Sequence, residues 1–459
     1  MGYFPLRAFP GVAWPPIIES GLAQVWSAYQ TLDRTQWLEP AEVERGQLAQ
    51  VRTLLAHAAA HVPYYRRLFA QAGIVPAAIQ SMEDFRRIPL LTRQLCQDHF
   101  EERCTDRLPP GTLPGSIMNT SGSTGMPVKV PSTNMCNLWW HAFYLRDLEW
   151  CGLQPKGTLA IIRNSSAAGD KQQALMQGVQ LPTWLRELHS LIEFGPCHGM
   201  DIRQDHRRQV HWLRAIRPDY LLTYPTNAGA LAAVIEQEGQ TVPGLRAVHL
   251  ISESVPPELQ ARVEAAFAAP VKNTYSCTEA GYLASPCPDG HGFHVHAENV
   301  LFEVLDENQR PCAPGETGRV AVTTLHNFRA PFIRYDIGDE VTLASGRCPC
   351  QRGLPLLTRI HGKVRILFRL PDGRLKRSGI LAESLTKIGH HRRHQVVQKS
   401  LEYVLVRIVP SANWTGDHHE RMKLLFDEFF ERAVRVEIQL VEEIESPANG
   451  KFQSMVCEV

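Results

Sequence analysis

The sequence predicts an α/β protein. A large N-terminal domain carries a mostly parallel sheet behind a helical N-terminal region, and a small α+β domain follows. Three textures along the 459 residues predict this. Residues 1–110 show helical periodicity interrupted by prolines. From about 115 to 365, short β-rich runs alternate with amphipathic stretches, the pattern of βα units in a parallel sheet. From about 368 onward, alternating strands and one helix make a segment of small-domain size. The boundaries are therefore drawn at 1–365 and 366–459.

The elements follow in order. Val51, Leu54, Leu55 and Ala58 fall at i, i+3, i+4 and i+7, one face of a helix, and Pro63 breaks it. TLAIIR (158–163), YLLTY (220–224), AVHLIS (247–252) and VKNTYS (271–276) read as strands. VHWLRAI (210–216) and LQARVEAAF (259–267) read as helices between them. LFEVLD, GRVAVTT and EVTLA, within 300–345, read as consecutive strands of an antiparallel subdomain. In the last segment YVLVRIV (403–409) and VRVEIQLV (434–441) are strands, with Met422, Leu425 and Phe429 at helical spacing between them.

Composition excludes several classes. Lys and Arg total 48 against 47 Asp and Glu, a formal charge of +1, which is no nucleic-acid footprint. No apolar run approaches the roughly 18 residues of a membrane span. MGYFPLRAFPG lacks the basic start and apolar stretch of a signal peptide, and Leu6 stands where a myristoylation signal needs Ser or Thr. The expectation is a cytoplasmic enzyme with no nucleic-acid or membrane partner, its eleven cysteines reduced.

The most informative stretch runs from Asn119 to Lys129, NTSGSTGMPVK. Its hydroxyl side chains and two glycines give a loop dense in donors, the kind that cradles phosphate oxygens. Composition alone fits an ordinary Ser/Gly surface loop equally well. The order T-S-G-S-T-G-x-P-x-K resembles the signature loop of the adenylate-forming superfamily. Three further matches arrive in that family's order: Tyr275-Ser276-Cys277-Thr278-Glu279, Arg334-Tyr335-Asp336-Ile337-Gly338-Asp339, and Gly450-Lys451. HAAAHVPYYRRLF, SMEDFRRIPLLTR and ISESVPPEL resemble phenylacetate–CoA ligase and its capsule-biosynthesis-type relatives.

The resemblance implies ATP-dependent activation of a carboxylic acid to acyl-AMP with release of pyrophosphate, then acyl transfer to a thiol, CoA foremost. A carrier protein or an amine are the other acceptors it allows, and a non-catalytic binding protein of the same fold is the reading from another class. It places Ser121, Gly122, Ser123, Thr124, Gly125 and Lys129 on ATP phosphates, with Ser252 and Glu253 also at the nucleotide. Tyr275 would stack on adenine and Asp339 would accept the ribose hydroxyls. Thr278 would contact the α-phosphate, Glu279 would hold Mg²⁺, and Lys451 is the implied catalytic lysine on a small mobile lid domain. Taken singly, each has a plain alternative as a core aromatic, a turn residue or a solvated charge.

Departures from the family pattern fall at the domain junction. Where the family has G-R-x-D, this chain has Gly362-Lys363-Val364-Arg365. Lys363 keeps the charge on the ribose side without the bidentate fork of arginine, and Arg365 replaces the hinge aspartate.

Two further groups stand out. Cys287, His291, His294 and His296 crowd one segment, and Cys348-Pro349-Cys350 follows. Zinc takes four Cys/His ligands, often as two close pairs, although a His-rich loop and a chance Cys pair also fit. Relatives of phenylacetate–CoA ligase carry a similar structural zinc. That resemblance points to Cys287, His294, Cys348 and Cys350, with His291 as the substitute for His294. Trp140, His141, Tyr224 and Asn227 are the expected acyl-pocket lining, the tryptophans being equally compatible with helix core. The basic stretch Lys387–His394 reads as a solvated face or a docking surface for CoA or an acidic carrier.

Overall fold

The computed structural model describes residues 3–9, 11–12, 17–18, 20–120, 127–165, 169–363, 367–377, 381, 384–385, 388–411, 413–444 and 454–459. Packing divides the chain into two compact units, Met1–Ile360 and His361–Val459.

The first unit opens with helices α1 (Ser20–Thr35), α2 (Pro40–His61), α3 (Pro63–Ala72), α4 (Met82–Arg86) and α5 (Arg93–Asp98). Val51, Leu54, Leu55 and Ala58 are all fully buried, so the predicted face of α2 is the one that packs. Burying the two leucines and the valine contributes about 1.5–3 kcal/mol each. Val62 precedes Pro63, is extended (φ −116°, ψ 105°) and ends α2, because proline disfavours helix in the residue before it. Pro63 then opens α3 at a position where its missing N–H costs nothing.

The sheet elements are β1 (Pro114–Asn119), β2 (Lys129–Thr133), β3 (Leu159–Arg163), β4 (Val179–Leu181), β5 (Cys197–Asp201), β6 (Tyr220–Thr223), β7 (Ala247–Ile251) and β8 (Val271–Cys277). They continue with β9 (Gly281–Pro286), β10 (Phe293–Val295), β11 (Val300–Leu305), β12 (Thr317–Thr324), β13 (Tyr335–Leu343) and β14 (Leu356–Lys363). Helices α6 (Asn134–Trp150), α7 (Asp170–Gln177), α8 (His206–Ile216), α9 (Pro225–Glu238) and α10 (Pro257–Phe267) interleave with them. β1 and β2 form a separate antiparallel pair. The other twelve make one sheet in the order β11-β12-β13-β14-β10-β9-β8-β7-β6-β3-β5-β4. β5, β3, β6, β7 and β8 are parallel; from β8 to β9 the sheet turns antiparallel.

The expected strands and the helices over 210–216 and 259–267 are all present. The sequence reading passed over α9. Its run Ala-Gly-Ala-Leu-Ala-Ala-Val carries little polar periodicity, and Tyr224-Pro225 looks like a turn, although proline is well placed at the first helical turn.

The second unit has a four-stranded sheet. Arg435–Leu440 pairs in parallel with Tyr403–Pro410, which runs antiparallel to His391–Ser400, and Met455–Cys457 pairs in parallel with the latter. Met422, Phe426 and Phe430, on and just after the helix Gly416–Phe429, are fully buried in its core. The basic stretch is therefore not a uniform solvated face: His391–His394 opens a strand, and burial pushes the His394 imidazole down to about 3. Lys387 lies outside the described residues.

Candidate active site

The parallel strands β3, β6, β7 and β8 end together at Arg163, Thr223, Ile251 and Cys277, and the crevice outside such carboxyl ends is where α/β sheets bind ligands. Of the predicted site residues, Tyr224, Ser252 and Thr278 directly follow the ends of β6, β7 and β8. Thr278 and Glu279 occupy the turn between β8 and β9, closed by the Cys277–Gly281 pair. Glu279 is buried, and the hydroxyl of Tyr335 donates to its Oε1 at 3.2 Å. Tyr275 is buried too, and its hydroxyl donates to Asp339 Oδ2 at 2.7 Å. Burial, reinforced by that carboxylate, raises the Tyr275 phenol well above its usual range and keeps it a donor. The β8 and β13 matches are thus bound to each other, and Tyr275, itself part of the core, positions Asp339.

The phosphate loop is closed at its base. Thr120 N–H donates to Val128 O at 3.0 Å, and Val128 N–H donates to Thr120 Oγ1 at 2.9 Å. Ser121, Gly122, Ser123, Thr124 and Gly125 lie outside the described residues, as do Arg365 and Lys451. Lys129 is on the flank of the β1–β2 hairpin. Its Nζ sits 4.7 Å over the Phe100 ring and lines an open cavity of about 580 Å³ with Asn119, Glu101 and Arg329. Ser252 has φ +71°, a left-handed conformation costly for a residue with a Cβ, at the end of β7 beside the crevice. Glu253 accepts from Thr226 N–H at 3.0 Å and Thr226 Oγ1 at 3.2 Å, so its carboxylate caps the N-terminus of α9. Lys363 is exposed at the end of β14 in the second unit.

Of the expected acyl lining, Trp140 and His141 lie on α6, and Trp140 is 39% exposed. Tyr224 precedes α9 and is nearly buried. Asn227, on α9, is buried: its Nδ2 donates to Gln209 Oε1 and Thr223 Oγ1, both at 3.0 Å, which ties α9 to α8 and to the end of β6, while its Oδ1 has no partner among the described residues.

Two features escaped the sequence reading. Arg93, at the start of α5, donates to Thr120 Oγ1 at 3.3 Å and brings a cation to the phosphate-loop base. It gets there because Leu91 bridges to Tyr335: Leu91 N–H donates to Arg334 O and Asp336 N–H to Leu91 O. The other is a buried network on α6. Asp147 accepts from Thr274 Oγ1 (2.8 and 2.9 Å) and from Ser285 Oγ (2.5 Å). Arg146 faces His296 Nδ1 at 3.4 Å and can only donate, so that nitrogen accepts. Burial keeps His296 neutral, so Nε2 carries the proton and donates to Ser285 at 2.9 Å. Burial likewise lowers His249, whose Nε2–H donates to Thr274 at 2.7 Å. Arg146 also holds Glu298 through both carboxylate oxygens (2.9 and 3.1 Å) and donates to Leu32 O. Adjacent Arg-Asp on a helix beside a Trp gives no signal of either bond set, because every partner is distant in sequence.

The metal-ligand candidates form a second, separate group. The donor atoms of Cys287, His294, Cys348 and Cys350 all lie within 4.8 Å of one another. Cys287 Sγ is 3.7 Å from Cys348 Sγ, and His294 Nε2 is 3.1 Å from Cys350 Sγ. Two turns aim them: Cys287 N–H donates to Gly292 O, with Gly292 at φ +117°, and Gln351 N–H donates to Cys348 O. A Cβ on Gly292 would stand 2.3 Å from Leu357 O, so glycine is required there. His294 Nδ1 faces Leu354 O at 3.3 Å, which leaves Nε2 to the cluster. His291 is exposed and outside the group.

Comparison with known proteins finds relatives of this chain. The chain matches the AMP-binding enzyme family over residues 190–330 and the CapK C-terminal domain over residues 372–458. It is 25% identical to a phenylacetate-coenzyme A ligase of Thermus thermophilus over 316 residues, 66% of each chain. A phenylacetate-coenzyme A ligase of Escherichia coli is 24% identical over 336 residues, 71% of this chain and 73% of that one. In fold the chain is similar to 2-hydroxyisobutyryl-CoA ligase in complex with 2-HIB-AMP, at TM-score 0.70 and 20% identity, covering 93% of this chain and 92% of that one.

Proposed function

From its place among the adenylate-forming enzymes, in the phenylacetate–CoA ligase-like group, we propose that this chain activates a carboxylic acid with ATP and passes the acyl group to CoA. A carboxylate oxygen attacks the α-phosphorus, the bond to the β-phosphate oxygen breaks, and pyrophosphate leaves. The CoA sulfur then attacks the acyl carbon and AMP departs. The observation that carries the reading is the β8–β9 turn: Thr278 and buried Glu279 sit at the sheet's carboxyl edge, with Asp339 tied to Tyr275 alongside.

Within this reading the phosphate loop and Arg93 neutralise the polyphosphate, Thr278 meets the α-phosphate, and Asp339 accepts from the ribose. Glu279 is the residue to hold Mg²⁺, a hard cation satisfied by one carboxylate and phosphate oxygens; when bound, it offsets charge on the leaving pyrophosphate. The second unit, His361–Val459, serves as a lid that carries Lys363 and Lys451. The test is ATP–pyrophosphate exchange over a panel of acids, followed by CoA-dependent AMP release. Exchange with no acid in the panel overturns the activation step, and exchange without thioester formation overturns CoA as acceptor. Glu279→Gln removes the charge at nearly constant shape, and is expected to raise the Mg²⁺ concentration needed for half-maximal exchange by about tenfold or more. An unchanged Mg²⁺ titration would move the metal role elsewhere.

The Cys287, His294, Cys348 and Cys350 set fits structural zinc: three thiol sulfurs and one neutral imidazole, with no fifth donor among the described residues and a carbonyl orienting the histidine. Purified protein is expected to carry about one zinc per chain, and chelation should lower its unfolding temperature. A folded, fully active preparation free of zinc by elemental analysis would remove this assignment.

A further inference from the structure

We propose that the acyl pocket is built for a planar carboxylic acid bearing a second oxygen substituent, a hydroxyl or a carboxylate, remote from the reacting carboxylate. The inference rests on the adenylation reading and adds the substrate class.

The Trp140 ring stacks on Tyr144 of the same helix, at 5.8 Å between centroids and 8° between planes. It also meets Tyr282 of β9 at 5.8 Å. A Cβ on Gly281 would stand 3.7 Å from Trp140 Cδ1, and Gly281 pairs with Cys277 to close the turn bearing Thr278 and Glu279. This aromatic group therefore borders the reacting turn, where a planar acyl group has apolar faces to lie against.

The same walls carry polar groups that the protein leaves unused. Among the described residues, neither the Tyr144 nor the Tyr282 hydroxyl has a hydrogen-bond partner, and neither oxygen is sealed from solvent, so both are open to a ligand. Once a bound ligand covers them, a hydroxyl left unpaired is costly. Arg163 ends β3 at the carboxyl edge, with no side-chain partner among the described residues. Its guanidinium is close enough to oppose the rise that burial imposes on both the Tyr144 and Tyr224 phenols. His141, kept neutral by burial, flanks Trp140. Two phenols and a guanidinium are chiefly donors, so the complementary ligand group is an acceptor oxygen. An unsubstituted phenyl ring would leave all of them unpaired, and a site with buried polar groups discriminates against an analogue lacking the matching atom.

The experiment is pyrophosphate exchange with matched acids: phenylacetate against hydroxyphenylacetate, and benzoate against hydroxybenzoate and benzenedicarboxylate. At least about a tenfold higher kcat/KM is expected for the oxygenated member of a pair. Tyr282→Phe, which keeps the ring, should bring that ratio to within about twofold of one, chiefly through KM of the oxygenated acid. Arg163→Met should penalise the dicarboxylate more than the hydroxy acid if the preferred group is ionised, and both equally if it is a hydroxyl. A wild-type ratio near one, or a Tyr282→Phe variant that lowers both members in proportion, overturns the proposal while leaving adenylation standing. Exchange with none of the acids overturns both.

Discussion

Lys451→Ala is expected to lower ATP–pyrophosphate exchange by roughly a hundred- to a thousandfold, the range seen when one preorganised group that meets developing charge is removed. As the acyl carboxylate attacks, negative charge gathers on the α-phosphate oxygens and on the departing pyrophosphate. An ammonium arriving at that moment stabilises the transition state more than bound ATP, so the loss should appear in kcat with little change in KM for ATP. Lys451 precedes Met455–Cys457 by four residues, and that strand pairs in parallel with Val396–Gln398 in the second unit's sheet. The variant should unfold at the wild-type temperature. Wild-type exchange in the folded variant would remove the lysine from the mechanism.

Arg146→Met is expected to destabilise the first unit by about 3–5 kcal/mol, the usual loss when one partner of a buried ion pair is removed and the other stays behind. Arg146 is 1% exposed, stacks on Phe143 and Trp150, and is the charge partner of Glu298. Methionine keeps much of the packing but leaves the Glu298 carboxylate without its cation. Burial by itself would raise the Glu298 carboxyl, yet the guanidinium outweighs it and the folded value lies below the usual range. A carboxyl depressed in the folded state stabilises above its unfolded pKa, and that stability is lost as pH falls through the folded value. The wild-type protein should therefore lose this contribution only in acid, below the ordinary glutamate range. The variant should shift the denaturation midpoint most at neutral pH and progressively less toward acid. Equal midpoints at neutral pH would show that the pair is replaceable by packing alone.

Much of the fold was legible because its cues are local. Strand β-richness at 158–163, 220–224, 247–252 and 271–276 and the α2 face at Val51, Leu54, Leu55 and Ala58 need only nearest neighbours to be read. The β8 and β13 motifs were picked out because their residue order resembles a family's, and Tyr275 of one meets Asp339 of the other in the structure. Cys287 and Cys348-Pro349-Cys350 could be paired by spacing, while the choice of His294 over His291 was made by resemblance; burial of one and exposure of the other agrees with it. Asn227 shows the limit of such cues: its amide is claimed by Gln209, 18 residues away, a contact that no local pattern announces. Arg93 and Asp147 were invisible for a related reason. What makes each matter is a partner 27 to 138 residues away along the chain.

The Asp147 network also acts as a ruler. Side chains alternate along a strand, so sliding β8 by one residue would withdraw Thr274 from the carboxylate and turn Asn273 or Tyr275 toward it. Only one alignment lets Thr274 and Ser285 reach the same carboxylate from two strands, each backed by its own histidine. Slippage would leave a buried anion facing an aromatic ring or an amide that must compete for it. The length of chain from Thr274 to Glu279 is thereby metered from α6, the helix that also carries Trp140. An insertion or deletion within β8 would change the distance between the acyl wall and the reacting turn, even where every side chain in both was kept.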